Sequence, residues 1–206
     1  MSRLPDEYFD SMYAQSADPW DLSARWYEQR KYAITLALLP RQHYLHAFEP
    51  GCSVGVLTAL LSERCTRVTA TDVTAAALDG AQRRLGDLGR RDQVTLLQHS
   101  VDEPWPAGPF DLLMLSEVGY YLTPRALRNV LERECPRLAF GATVVAAHWR
   151  HRVDDYLMTG DEVNEVVAGT AGFHAIGTYR DDDVAIEVFD TADGSSVAAR
   201  SGVPIA

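Results

Sequence analysis

The stretch FEPGCSVGVLTALL, residues 48–61, passes from an apolar strand-like segment through a glycine turn into a helix-like one. Its spacing is E-x-G-x-S-x-G, carried by Glu49, Gly51, Ser53 and Gly55, with Ser53 where a dinucleotide-binding loop has its middle glycine. Gly51 and Gly55 let backbone N–H groups and a ligand approach closely at a helix N-terminus. Asp72 follows the strand-like run RVTAT (67–71) and lies 21 residues beyond Gly51. An acid at that place can accept both hydroxyls of a ribose, and the same place also suits the N-cap of the helix that follows.

Outward from this loop, strand and helix patterns alternate. Residues 46–50, 67–71, 94–98, 110–116 and 143–148 read as strands, and FDLLMLS (110–116) is apolar enough for a central parallel strand covered on both faces. Residues 54–64, 75–88, 124–134 and 161–171 read as helices. Two alternating runs, 174–179 and 184–189, joined by acidic residues 181–183, form an expected closing hairpin. Upstream, residues 4–39 are rich in aromatics, and the glycine- and proline-free stretch 24–39 reads as a helix ending at Pro40. The fold class is therefore α/β, a Rossmann-like doubly wound sheet in one domain. It divides into an N-terminal helical lid (1–40), a core (41–189) and a Gly/Ser-rich loose tail (190–206).

Bulk properties narrow the function. The chain has 206 residues, one domain's worth, with 47% hydrophobic and 23% charged residues. The acidic start MSRLPDEYFD and the lack of a long apolar run point to a cytoplasmic protein with no membrane partner. Three scattered cysteines without a C-x-x-C give neither a disulfide framework nor a zinc site, and no metal is expected. A net charge of −10 disfavours nucleic acid and favours a cationic partner. Lys31 is the one lysine among 19 basic residues, which on its own reads as a coding bias.

NAD and S-adenosylmethionine (SAM) both present an adenosine ribose to such an acid. The short glycine pattern, without the third glycine for close pyrophosphate approach, favours SAM. Together, the loop, Asp72 and FDLLMLSEVGYYL (110–122) resemble a class I SAM-dependent methyltransferase. Four stretches are more telling: DPWD (18–21), WYEQRKYAITLALLP (26–40), SEVGYYL (116–122) and HWRHRVDDYLMTGDEV (148–163). They resemble the NodS-like methyltransferases, a family named for a nodulation protein that N-methylates a deacetylated amino sugar. The resemblance implies a seven-stranded sheet with the last strand antiparallel, and an N-terminal helix closing over the cofactor. It places Glu49, Gly51, Cys52 and Gly55 along the methionine side of SAM, Asp72 on the ribose, and Val73 near the adenine. Ser100 and Val101 meet the adenine edge, Ser116 ends the central strand beside the cofactor, and Trp20 and Arg30 are lid contacts, with Arg30 a partner for the SAM carboxylate. Relatives commonly have Gly-Asp at His99–Ser100, so Asp102 is a substitute for the missing adenine acid. They also commonly have His where Asn164 follows GDEV.

Methyl transfer from a sulfonium needs alignment and an unprotonated nucleophile. Glu117, just past the central strand, and His148, at the end of the next, are candidate bases, with Tyr120 a candidate substrate contact. Trp149 and Arg150 would wall the substrate, and Asp154, Asp155, Asp161 and Glu162 would attract a cationic amine. The expected function is N-methylation of a small-molecule amine, with an amino sugar or aminoglycoside-like acceptor first. Alternatives are O-methylation, a nicotinamide-dependent oxidoreductase, or a noncatalytic SAM-binding protein.

Overall fold

The computed structural model describes residues 2–204. Seven strands form one sheet: β1 (Tyr44–Pro50), β2 (Cys65–Asp72), β3 (Val94–Gln98), β4 (Leu112–Ser116), β5 (Thr143–Trp149), β6 (His174–Arg180) and β7 (Val184–Asp190). Their order is β3-β2-β1-β4-β5-β7-β6, and β7 runs antiparallel to both its neighbours while the remaining pairings are parallel. The order reverses between β1 and β4, the topological switch at which open α/β sheets bind ligands.

Side-chain alternation on β4 separates the two cores. Leu113 and Leu115 join Phe48, Val144, Leu127 and Val163 under α5 (Pro124–Glu134) and α6 (Gly160–Ala168). Leu112 and Met114 join Tyr44, Leu61, Val145 and Ile186 under α2 (Trp26–Ala37) and α3 (Val56–Ser62). The helix α4 (Ala75–Asp87) packs against β2 and β3. β4 begins two residues later than the apolar run suggests, because the Asp111 carboxylate instead accepts the N–H groups of Leu45 and His46, at 2.9 and 2.7 Å.

Two segments depart from the reading of the sequence. The aromatic N-terminus contains an additional helix, α1 (Asp6–Gln15), whose Phe9 and Tyr13 are buried. Ahead of it, Arg3 pairs with Leu122 as an antiparallel bridge, so residues 2–4 are strapped to residues 121–123. The tail beyond Asp190 is not loose throughout. Ser196 caps a short helix, α7 (Val197–Arg200), and Arg200 forms a 2.6 Å ion pair with the fully buried Asp190.

The HWR-to-GDEV stretch is explained by packing. A Cβ on Gly160 would lie 2.1 Å from the Trp149 carbonyl oxygen, so only glycine lets α6 sit this close to β5. Thr159 and Glu162 close a capping box at the start of α6, which accounts for Glu162 without a ligand.

Candidate active site

The carboxyl ends of the strands open into a cavity of about 370 Å³. Glu49 and Gly51 come from the end of β1, Asp72 and Val73 from β2, His99 to Val101 from the turn after β3, Ser116 to Val118 from β4, and Trp149 from β5. The roof is the N-terminal segment, with Leu4, Phe9, Tyr13, Trp20, Leu22 and Arg25, together with Tyr27, Glu28 and Lys31 of α2.

On one side lies the glycine loop. Gly51 has φ +74°, and a Cβ there would meet Val118 Cγ2 at 2.9 Å, so the loop can neither adopt this turn nor pack this closely with a side chain. The N–H groups of Gly51 and Cys52 both bond to the Thr71 carbonyl, at 2.7 and 2.9 Å, tying the loop to β2. Asp72 accepts the N–H groups of Ser53 (2.9 Å) and Thr74 (3.0 Å). It thus caps the turn before α4 and also faces the cavity, so the two readings of this acid coexist. Burial raises its pKa against those backbone bonds. Glu49 is buried with one partner, the Thr58 hydroxyl at 2.6 Å, and burial pushes its pKa up to about 8. Tyr13 of α1 reaches over the loop to Ser53 Oγ at 2.5 Å and meets Trp20 edge-on at 5.8 Å. Trp20 therefore lines the cavity, in a turn tightened by Asp18, which accepts the N–H groups of Leu22 and Ser23 at 3.0 Å each.

The other side is aromatic and acidic. Tyr27 meets Trp149 edge-on at 5.2 Å, Tyr120 stacks on Tyr156 at 4.5 Å, and Phe9 meets Tyr121 at 4.8 Å. Among the described residues the Tyr27 hydroxyl is buried without a hydrogen-bond partner. Glu117, with φ +56° in the turn after β4, presents a carboxylate that is 21% exposed. Its Oε1 lies 2.8 Å from Lys31 Nζ, and its Oε2 accepts the Tyr120 hydroxyl and, at 3.1 Å, the Trp149 N–H. Burial works to raise the Glu117 pKa, but Lys31 and the other donors outweigh it and hold the pKa below the ordinary carboxylate value. Lys31 Nζ is also 2.7 Å from Glu28 Oε2. The chain's one lysine thus sits, 1% exposed, between two acids.

Most expected site residues converge here: Trp20, Glu49, Gly51, Cys52, Asp72, Val73, Ser100, Val101, Ser116, Glu117 and Tyr120 all line the cavity. Gly55 does not; it starts α3 and its α-carbon packs against Ala81 of α4. Arg30 is displaced from its expected role, since its guanidinium bonds Asp181 at 2.8 Å and the Tyr179 hydroxyl, pinning α2 to the β6–β7 hairpin. The arginine that does reach the cavity from this region is Arg25. His148 is also corrected. It is fully buried, its Nε2 accepts the Gly119 N–H at 3.2 Å, and its Nδ1 donates to Asn164 at 2.9 Å. Burial lowers its pKa to about 4, so it is a neutral structural imidazole with no lone pair facing the cavity.

Asn164 is the partner that fixes this tautomer. Asp102 does not replace the adenine acid, because it is held by Ser100 Oγ (2.5 Å) and Arg3 (3.1 Å) outside the cavity. The acids beyond β5 do not form a capture site. Asp161 pairs with Arg150 and Arg180, Glu162 caps α6, Asp154 is open to solvent, and Asp155 bonds Tyr8 at 3.4 Å. Arg150 is accordingly no part of the substrate wall. The acids that face the cavity are Glu28, Glu49, Asp72 and Glu117. Among the described residues no group of three metal-ligating side chains occurs, and no helix is long and apolar enough to cross a membrane.

A sheet in this order, reversed between β1 and β4 with one antiparallel strand near its edge, and a glycine loop and a buried acid at its carboxyl ends, define the class I methyltransferase fold. The chain belongs to the nodulation protein S (NodS) family, whose model matches residues 11–155. Nodulation protein S of Bradyrhizobium diazoefficiens is 32% identical over 146 residues, covering 65% of this chain and 68% of that protein. A putative methyltransferase from Pseudomonas syringae is 32% identical in its crystal structure, with a TM-score of 0.68 over 81% of this chain and 99% of that one. The N-methyltransferase NodS from Bradyrhizobium japonicum WM9, crystallised with S-adenosyl-L-homocysteine, is 22% identical with a TM-score of 0.79, covering 91% of this chain and 98% of that one.

Glu49 gives the site a pH signature. Its raised pKa means that the empty protein is favoured by the protonated acid below about 4.5, and this contribution is lost as pH rises through about 8. A cationic ligand beside it stabilises the carboxylate and expels that proton. Calorimetry at pH 7 in buffers of different ionisation enthalpy should show release of a fraction of a proton on SAM binding, abolished in Glu49→Gln. Binding heats independent of buffer would show that Glu49 does not meet the ligand.

Proposed function

We propose that the protein transfers the methyl group of SAM to the nitrogen of a small-molecule amine, an amino sugar being the first acceptor class to test. The observation that carries this reading is the pairing, in one cavity, of a glycine cradle flanked by buried Glu49 and Asp72 with an aromatic wall around the Glu117 carboxylate. The cradle fits the cofactor. Gly51 makes the tight turn at φ +74° against Val118, Asp72 retains lone pairs for ribose hydroxyls, and Glu49 is an acid without a cation. Arg25 and Trp20 border the same space and suit a carboxylate and an adenosine or methionine face. When bound, SAM supplies an electrophilic methyl on a sulfonium.

The chain's own residues then bind and orient the acceptor. Tyr27, Trp149, Tyr120 and Tyr156 wall this part of the cavity with aromatic rings, Glu117 offers an ammonium the opposite charge, and the free Tyr27 hydroxyl offers a hydrogen bond. The ammonium has no lone pair, so the reactive species is the neutral amine, and the rate should rise with pH through the amine's pKa in the complex. The interior acids, not the outer loop, supply the charge complementarity that an amine requires.

Two experiments test this. Amino sugars, aminoglycosides, simple amines and phenols are incubated with SAM and read by mass; an N-methyl product is expected, and efficient methylation of a phenol or alcohol with no amine product would overturn the assignment. Asp72→Ala should weaken SAM binding by about 1.5–3 kcal/mol, the range for a hydrogen bond to a charged group. An unchanged calorimetric affinity in the folded variant would leave Asp72 a cap alone.

A further inference from the structure

Glu117 poses a problem for any amine it docks. It faces the cavity, yet its carboxylate is bonded by Lys31, Tyr120 and the Trp149 N–H, which makes it a good anion and a poor base. A proton taken from a bound ammonium would not stay there. His148 lies behind it but is buried, and both of its nitrogens are occupied. Glu28 differs. It sits on the far side of Lys31, 7% exposed, with Nζ at 2.7 Å and the hydroxyl-bearing rings of Tyr27 and Tyr32 around the ammonium at 5.5 and 5.2 Å. Lys31 therefore joins two unlike carboxylates that both line the cavity, Glu117 well supplied with donors and Glu28 sparsely supplied. With both acids ionised the trio carries one positive and two negative charges, an imbalance that a docked ammonium or an added proton removes.

We propose that Glu28, Lys31 and Glu117 form a proton relay that draws the acceptor's ammonium proton out of the reacting centre and leaves it on Glu28. This rests on the reading of the protein as an amine methyltransferase. The balance is simple. The ammonium N–H bond breaks and its proton goes to Glu117 Oε1. Lys31 takes that proton and gives one of its own N–H protons to Glu28 Oε2, once its ammonium turns an N–H toward that oxygen, which lies 2.7 Å away and among the described residues accepts no hydrogen bond. Lys31 is an ammonium and Glu117 a carboxylate before and after, Glu28 ends as the neutral acid, and the amine keeps the electron pair that attacks the methyl carbon. The charged and titratable groups facing Glu28 are Lys31, Tyr27 and Tyr32 on its own helix and Glu117 after β4, with Tyr120 and His148 beyond Glu117. Burial raises the Glu28 pKa against the pull of Lys31, in the direction a terminal proton sink needs.

The relay is tested with Lys31→Arg and Glu28→Gln in the full-length protein, using an amine acceptor found by the mass screen. A guanidinium keeps the charge and both ion pairs but does not give up a proton. Glu28→Gln keeps the shape and cannot be a sink, so it serves if the larger arginine disturbs folding. Each folded variant should bind SAM within about twofold of the wild type. Each should lose kcat at neutral pH by roughly a hundredfold, the scale of one acid–base contribution, and regain it as pH rises through the amine's own pKa. Wild-type pH profiles in both variants, with the wild type methylating amines, would overturn the relay and leave the methyltransferase reading intact. A wild type that methylates only hydroxyl acceptors would remove the reading and the relay with it.

Discussion

A protein lacking residues 1–25 should keep its sheet and lose SAM. The deleted piece supplies Leu4, Phe9, Tyr13, Trp20, Leu22 and Arg25 to the cavity, including the Tyr13 contact with Ser53 in the glycine loop. It supplies little to either main core, which consists of residues from α2 onward. Its attachments are local: the Arg3–Leu122 bridge, the Arg3–Asp102 ion pair and the small cluster of Tyr13, Val54 and Ala77. The cut belongs at 25 and not at 32, because Lys31 and Tyr32 are buried in the body of the fold. Removing several contacts of about 1 kcal/mol each should weaken binding roughly a hundredfold or more, at about 1.4 kcal/mol per factor of ten. Circular dichroism should retain the strand and helix signals, while calorimetry with SAM should fall to baseline. A truncated protein with a dissociation constant within about threefold of the full chain would show that the N-terminal segment is no part of the cofactor site.

What could be read in the sequence was local and periodic. The strands β1, β2, β4, β5 and β7 carry their burial in runs that need no tertiary context, and Gly51 and Asp72 fall at the ends of adjacent strands. The helix α1 was not legible as such, because its apolar stripe is only Phe9 and Tyr13 in an otherwise polar decamer. His148 and Arg30 share one cause of error. A residue type fixes what a side chain can do, while the fold decides what it faces. At His148 the close approach of α6 allowed by Gly160 seals the imidazole away, and on α2 a single residue separates the hairpin clamp Arg30 from the cavity cation Lys31. The acids 154–162 were legible as charge and not as place, since the arginines that neutralise Asp161 come from β6 and from the residue after β5.

Lys31 reads in the sequence as a coding bias, and the fold makes it the link between two acids. Its contact with Glu117 spans 86 positions, which no local pattern reveals. Yet a solitary lysine at the i+3 position from Glu28, between Tyr27 and Tyr32 on an otherwise half-apolar helix, was already an anomaly to explain structurally.

That lysine carries the largest expected effect on stability. Lys31→Met should cost about 3–5 kcal/mol, the usual penalty when one member of a buried ion pair is removed and its partners stay charged. Here two carboxylates, Glu28 and Glu117, would be left facing each other in the interior, where the wild type places an ammonium 2.7 and 2.8 Å from them. The pH dependence gives the cause its own signature. In the wild type the Glu117 pKa is lowered, so its contribution is present above the ordinary value of 4.5 and is lost as pH falls through the lowered pKa. In the variant, burial and mutual repulsion raise both acids. Their favourable, protonated state is complete below about 4.5, and stability is lost as pH rises through the raised values. The gap in denaturant midpoint between variant and wild type should therefore be widest near pH 8 and should narrow steadily toward pH 5. A gap constant across that range would mean that the loss comes from packing of the lysine stem over Tyr27 and Tyr32, with no part played by the two acids.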